Sequence, residues 1–108
     1  MSTRTKGNKN ELRAQKELEA QSYLVQRAGY RRFAQNDFFG LFDMIAIKQD
    51  DTILVQVKSN NKPSPKDMQA MADFLTRYYQ FDGQVWIWKD RKGWRKYIYK
   101  NGKWEKEK

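Results

Sequence analysis

The 108-residue chain contains no cysteine and no histidine. Their absence excludes disulfide bonds, zinc sites built from the usual ligands, cysteine nucleophiles and acid–base catalysis by histidine. A bound metal ion would therefore need oxygen ligands, which favour hard cations such as Mg²⁺ or Mn²⁺. The missing cysteines also fit an intracellular, cytoplasmic location, which we take as an expectation.

Acidic residues are scarce relative to basic ones: 13 Asp and Glu stand against 22 Lys and Arg, which gives a net charge of +9. This excess favours a polyanionic partner, most commonly nucleic acid, although a merely soluble basic surface is the alternative. Long apolar runs, a signal peptide and lipidation motifs are also lacking. The sequence therefore predicts DNA or RNA as a partner rather than a membrane.

The length predicts a single domain, 1–108, with one modest core. Residues 1–9 are polar and basic and are predicted to form a flexible arm, and the charged tail 103–108 is predicted to be frayed. Periodicity and turn residues predict the order helix, three strands, helix, two strands. The predicted bounds are a helix over about 10–21, strands over about 23–26, 42–47 and 53–58, a helix opening at 65, and a hairpin over 84–99.

The second helix has a clear start signal, with Ser64 as its N-cap and Pro65 at its first position. A stripe of apolar residues at helical spacing follows, and this regularity predicts a core face. The stripe consists of Met68, Met71, Ala72, Leu75, Tyr78 and Tyr79.

Three polar residues interrupt the two central apolar strands. Asp43 begins the first of them, and Gln56 and Lys58 lie two apart on the next, so those two share a face of the sheet. A register that places Asp43 opposite Gln56 or Lys58 brings all three side chains together, whereas a slip of one residue separates them. Polar groups in such strands are costly unless they have partners, which indicates a site.

These residue types suit a metal ion bound against a phosphodiester. Asp43 would supply a charged oxygen ligand and Gln56 a neutral one, with substrate phosphate and waters completing the shell. Lys58 would orient the attacking water or stabilise developing negative charge. Glu11, from the first helix, could reach the metal directly or through a water. Each residue also has a purely structural explanation. Asp43 could cap the end of a strand, and Gln56 could form only a local hydrogen bond. Lys58 could protect an edge strand from aggregation, and Glu11 could favour the start of a helix.

Taken in order, these residues resemble a known group of enzymes. The pattern Gly7-x-x-x-Glu11, Gly40-Leu41-Phe42-Asp43 and Gln56-Val57-Lys58 is similar to the PD-(D/E)XK nuclease superfamily, and within it to the small archaeal-type Holliday junction resolvases. The resemblance covers about 6–60. It implies a restriction-endonuclease-like αβββαβ core with a mixed central sheet flanked by helices, to which this chain adds a C-terminal hairpin.

The resemblance also implies a function. It predicts an endonuclease that hydrolyses DNA with Mg²⁺ or Mn²⁺, is selective for branched junctions, serves recombination and repair, and forms a homodimer. Glu11 and Asp43 match the acidic positions of the family and Lys58 matches its lysine, whereas Gln56 replaces the usual acid and removes one negative charge. The catalytic set is thus Glu11, Asp43, Gln56 and Lys58, of which the first three are the metal ligands.

Further residues are candidates for contact with DNA. Four cations flank the site and are predicted to bind backbone phosphates: Arg31, Arg32, Lys62 and Lys66. Asp37 either assists metal binding or shapes a turn. In the last hairpin, alternate aromatic residues are predicted to be core, and the outward ones either stack on bases or form a dimer interface.

The sequence is also compatible with two other functions. The glutamine at position 56 favours a nuclease fold that has weakened or lost catalysis and only binds DNA. A third reading is a structural component of a larger complex that uses the exposed aromatic residues.

Overall fold

The structure, a computed structural model, describes residues 3–28, 30–31, 34–35 and 37–107, and the side chains of 9–28 and 37–107. A six-stranded mixed sheet has one helix on each face. The elements are α1 (Thr3–Ala20), β1 (Leu24–Arg27), β2 (Tyr30–Arg31), β3 (Ala34–Gln35), β4 (Met44–Lys48), β5 (Asp51–Ser59), α2 (Pro65–Arg77), β6 (Asp82–Lys89), β7 (Gly93–Lys100) and β8 (Lys103–Lys106).

The strands of the large sheet lie in the order β1-β4-β5-β6-β7-β8, and β2 and β3 form a separate two-stranded ladder. All neighbours in the large sheet are antiparallel except β5 and β6, which are parallel and are joined by helix α2. A parallel pair needs such a crossover connection, usually a helix. The predicted αβββαβ core is confirmed as α1, β1, β4, β5, α2 and β6, with β7 and β8 extending the sheet.

Parts of both chain ends form regular secondary structure, where the sequence predicted a flexible arm and a frayed tail. Helix α1 begins at Thr3, so most of the arm predicted over 1–9 is helical, and Met1 and Ser2 lie outside the described residues. Residues 3–9 contain no proline and lead directly into a stretch of good helix formers, so the helix can begin before residue 10. The tail predicted to be frayed forms β8 instead, where Trp104 packs on Tyr99 with ring centroids 5.2 Å apart and donates its indole N–H to Met68 O at 3.1 Å.

The two faces of the sheet bury two apolar clusters. On the α1 face, Ala14 and Leu18 of the helix pack on Met44, Ala46 and Val55, with Ile53 and Trp86 completing the cluster. Strand residues alternate between faces, so Leu54 and Phe42 lie in the other cluster, against α2. The alternation in the β4–β5 hairpin was predicted, and its register is set by pairs such as Met44 with Val55.

Helix α2 starts as predicted, because Ser64 Oγ accepts a hydrogen bond from Asp67 N at 3.1 Å and Pro65 follows at the first position. Its buried residues are Met68, Met71 and Leu75. The prediction that Tyr78 and Tyr79 continue this stripe is wrong. The helix ends at Arg77 with Tyr78 as C-cap, so helical spacing no longer holds, and the two tyrosines are 39% and 86% exposed.

Gly83 is a position where β6 lies in tight contact with α2. A Cβ atom there would lie 2.2 Å from Leu75 Cδ1, and Leu75 is only 3% exposed, so it has little room to move. We expect Gly83→Ala to lower the free energy of unfolding by about 1–3 kcal/mol through overpacking. Urea unfolding measures this, with the same change in a Leu75→Ala background as the control. A Gly83→Ala cost that is undiminished when Leu75 is truncated would contradict the close contact.

Candidate active site

The candidate site lies where β4 stops pairing with β5. The ladder between them ends at Met44 and Val55, but β5 continues to Ser59. Residues 56–59 of β5 therefore have no β4 residue beside them, whereas on the other side Ser59 still pairs with Trp88 of β6. Along this flank of a central strand, side chains can therefore take the place of a neighbouring strand.

The carboxylate of Asp43 occupies the first position of this opening. The backbone N–H of Asp43 donates to Val55 O at 2.8 Å, and its Oδ2 accepts from the backbone N–H of Val57 at 2.7 Å. The side chain thus replaces a ladder hydrogen bond and lies along the flank of β5 instead of projecting from a face. Asp43 is only 9% exposed. The predicted pairing of β4 with β5 extends as far as Met44. Beyond it, the Asp43 carboxylate contacts the backbone of β5 at Val57.

Gln56 lies at the same opening. Its Nε2 donates to Leu41 O at 3.2 Å, which turns the side chain toward the segment that leads into Asp43. Its Oε1 is buried and has no hydrogen-bond partner among the described residues. A buried amide oxygen without a partner is costly, and in native structures such an oxygen commonly binds a water or an ion.

Lys58 shares a sheet face with Gln56, two residues along β5, and its side chain is exposed. Its positive charge is close enough to Asp43 to lower the pKa of that carboxyl, although this is the smallest of the effects on it. The lysine is therefore accessible at the mouth of the opening.

Glu11 reaches the site from α1, where it is 6% exposed. Its Oε1 lies 3.3 Å from Nη2 of Arg27, at the end of β1. One residue earlier, the Asn10 side chain donates to Ser59 Oγ at 2.6 Å, which fixes α1 against the end of β5. Sequence reasoning missed Arg27 and Asn10. The only signal was a charge directly after a predicted strand and a polar residue on the inner side of a helix.

Burial dominates the electrostatics of the acidic residues. It raises the pKa of Asp43 from 3.8 to about 7, with the Val57 hydrogen bond opposing this shift and the charges of Glu11 and Asp37 adding to it. Burial also raises the pKa of Glu11, against the effect of Arg27, and Asp37 raises it further. The pKa of Asp37 is raised by burial as well. The mutual effects show that the three carboxyl groups occupy one region.

The donor atoms at this opening fit a hard cation only in part. Within the described residues, no group of three or more acidic side chains is arranged to hold a metal ion. The site instead offers a buried carboxylate, Asp43, and a buried amide oxygen, Gln56 Oε1, that lacks a partner. Such a set suits an ion that keeps several waters, as Mg²⁺ usually does.

The four cations predicted to bind phosphate have different positions. Lys62 and Lys66 are exposed after β5 and in the first turn of α2, and Lys62 Nζ lies 4.5 Å from the ring centroid of Tyr97. Arg31 belongs to β2, but its side chain is not among those described, and Arg32 lies outside the described residues. Lys62 and Lys66 therefore remain candidates on an accessible surface.

The architecture is that of a mixed α/β fold, in which helices cover both faces of a sheet with one parallel strand pair, β5–β6. One solved structure with this fold is Hjc from Archaeoglobus fulgidus, a Holliday junction resolvase from an archaeal hyperthermophile. The chain is 19% identical to it with a TM-score of 0.63, over 84% of this chain and 70% of that one. This confirms the predicted resemblance at the level of the fold. No family model matches the chain, and no curated protein does.

In the part of the chain that the structure describes, no helix is both long and apolar enough to cross a membrane.

Proposed function

We propose that the protein is a divalent-metal-dependent endonuclease that hydrolyses DNA phosphodiester bonds, with branched junctions as its preferred substrate. The observation that carries this proposal is that one opening in the sheet holds both a buried carboxylate, Asp43, and an amide oxygen of Gln56 that has no hydrogen-bond partner among the described residues. The fold of the Archaeoglobus resolvase and the net charge of +9 support it.

The residues would divide the work between them. Asp43 and Gln56 would hold the cation, and Glu11 would assist from α1. The ion would neutralise phosphate charge and lower the pKa of a bound water. Lys58, exposed at the mouth of the opening, would orient the attacking water or stabilise the charge that develops on the phosphate. Lys62 and Lys66 would contact the backbone of the DNA.

A homodimer follows from the proposed substrate, because resolving a four-way junction requires a cut in each of two strands. Two copies related by a two-fold axis would present two such sites. Light scattering of the protein alone and with a junction measures this part of the proposal.

A second function, DNA binding with weak or absent catalysis, is favoured by three observations. Glu11 is held by Arg27 at 3.3 Å, and no group of three acidic residues forms a metal site among the described residues. Position 56 carries an amide where the resembled family has an acid. Binding that weakens with salt, without cleavage in either Mg²⁺ or Mn²⁺, would support this function.

Metal removal separates the two functions. We expect the protein to cut a labelled four-way junction in Mg²⁺ or Mn²⁺, to cut a linear duplex of the same sequence more slowly, and to cut neither in EDTA. Denaturing gels of end-labelled strands measure the products. Cutting that persists in EDTA would contradict the proposed chemistry, and equal rates on both substrates would contradict the preference for junctions.

A further inference from the structure

The face of β6 and β7 that lies beside α1 carries three indole rings. Trp88 pairs with Trp94 across the two strands, and Trp86 pairs with Lys96, so these side chains share a face. The ring centroids of Trp86 and Trp94 are 5.3 Å apart, and those of Trp88 and Trp94 are 5.1 Å apart, both in edge-to-face contact. Trp86 is buried in the core, whereas Trp88 and Trp94 are only half-buried. The first ring anchors two others that keep accessible surface.

A cation from α1 lies over the ring of Trp88. The Arg13 guanidinium carbon is 4.1 Å from the ring centroid of Trp88, and its Nη1 donates to Asn10 Oδ1 at 2.6 Å. Both partners are uncharged, so they hold the guanidinium in place without neutralising it. Lys96, over Trp86 at 3.8 Å, differs because it forms an ion pair with Glu17. We call Arg13, Trp88 and Trp94 the Trp–Arg surface.

The Trp–Arg surface adjoins the candidate active site. Trp88 pairs with Ser59, the last residue of β5, and its carbonyl accepts from Asn60 N at 2.8 Å. Asn10, which orients Arg13, also donates to Ser59 Oγ at 2.6 Å and directly precedes Glu11. Glu11 and Arg13 lie on opposite flanks of α1, one toward β1 and the other toward β6. The Trp–Arg surface therefore lies across α1 from Glu11 and shares the contacts of Ser59 and Asn10 with the candidate site.

Charge in the adjacent turn favours a polyanion. The β6–β7 turn places Arg91 and Lys92 at exposed positions next to the rings, and Asp90 in the same turn is held by Asn60. Accessible aromatic rings beside positive charges are the usual construction for binding single strands, because bases stack on the rings while cations follow the phosphates. A paired duplex presents its backbone instead and offers no base faces to stack on.

We infer that the Trp–Arg surface binds unpaired nucleotides of the substrate by stacking, next to the site of cleavage. The inference rests on the proposed function for the identity of the ligand as DNA. It specifies the substrate further, as DNA in which a base beside the cut is unstacked, at a branch point or a single-stranded end.

Binding measured in EDTA tests this inference without cleavage. Fluorescence anisotropy would follow labelled oligo-dT and a labelled blunt duplex at one salt concentration, with Trp88→Leu, Arg13→Gln and wild type. Glutamine at 13 can still bond to Asn10, so that variant removes the charge with little change in structure. We expect each variant to weaken oligo-dT binding about tenfold and duplex binding less than about threefold. Lys103→Gln, an equal charge loss on exposed β8, should weaken both alike.

Three results would overturn the inference: absence of oligo-dT binding by the wild type, equal losses on oligo-dT and duplex, or variants that change only the oligomeric state in light scattering. The last result would identify the rings as a contact between copies of the chain. Urea unfolding of each variant shows that a loss is not caused by unfolding. Because binding is measured in EDTA, a selective loss of oligo-dT binding in the variants would support the inference even if the protein cut no DNA. Likewise, metal-dependent cleavage could be found even if the variants bound oligo-dT normally.

Discussion

Replacing Asp43 with asparagine should reduce metal-dependent cleavage by at least about 100-fold, which corresponds to about 2.7 kcal/mol of transition-state stabilisation. The substitution removes a buried carboxylate whose oxygen bonds to β5 at the opening beside that strand. The asparagine amide still offers an oxygen to the backbone N–H of Val57, so the local fold should persist. Initial rates on a labelled junction in Mg²⁺ measure the effect.

The same substitution should change how stability depends on pH. The folded-state pKa of Asp43 is raised from 3.8 to about 7, chiefly by burial, so the folded protein holds this proton more firmly than the unfolded chain does. The contribution of the Asp43 proton to the stability of the folded protein is fully present below pH 3.8 and is lost as the pH rises toward 7. Within that window the loss from this one group is about 1.4 kcal/mol per pH unit. Asparagine does not titrate and removes this loss.

Urea unfolding of the two proteins at pH 5 and pH 8, in EDTA, measures the difference. We expect the stability of Asp43→Asn relative to wild type to improve by roughly 3 kcal/mol between the two pH values. Any fixed cost of burying the amide cancels in this comparison. Asp50→Asn, an exposed position in the β4–β5 turn, is the matched control and should show little change. If the difference in free energy of unfolding between Asp43→Asn and wild type is the same at both pH values, the pKa of the buried Asp43 carboxyl is not raised.

Local sequence signals predicted most of the fold because they act over short distances. Alternation in β4 and β5, the Ser64–Pro65 start of α2 and the turns of the hairpins each specify an element by themselves. Strand β8 could not be predicted this way. Its short, charged sequence is held by distant partners, since Trp104 packs on Tyr99 and bonds to Met68 O.

The candidate site shows the same limit at a finer scale. The spacing of Gln56 and Lys58 predicts a shared face, and Asp43 was expected to meet them by continuing the ladder between β4 and β5. The ladder instead ends at Met44, and the Asp43 carboxylate bonds to the backbone of Val57. The partnership of Glu11 with Arg27 depends on where α1 lies relative to β1, which no local pattern specifies.

Replacing Gln56 with glutamate should raise the affinity for Mn²⁺ or Mg²⁺ by about tenfold or more, because it returns a charged oxygen to a site that now has a neutral one. The new carboxylate would lose the hydrogen bond from Gln56 Nε2 to Leu41 O and would face that carbonyl near Asp43. Without metal, we therefore expect the variant to be less stable than wild type by about 1–3 kcal/mol at pH 8.

Calorimetric titration of Mn²⁺ without DNA measures the affinity, and urea unfolding with and without Mn²⁺ measures the stability. Added metal should stabilise Gln56→Glu more than it stabilises wild type, since binding to the folded state alone adds to its stability. Gln80→Glu is the matched control, because it makes the same change of charge at an exposed position just before β6. The start of β6 pairs with the start of β5, away from Gln56, so this variant should leave both measurements unchanged. An affinity in Gln56→Glu that matches wild type would show that position 56 does not face the cation. The proposed protein ligands would then be Asp43 and Glu11, and Glu11 is already paired with Arg27. The DNA-binding function without catalysis would be the better account of the chain.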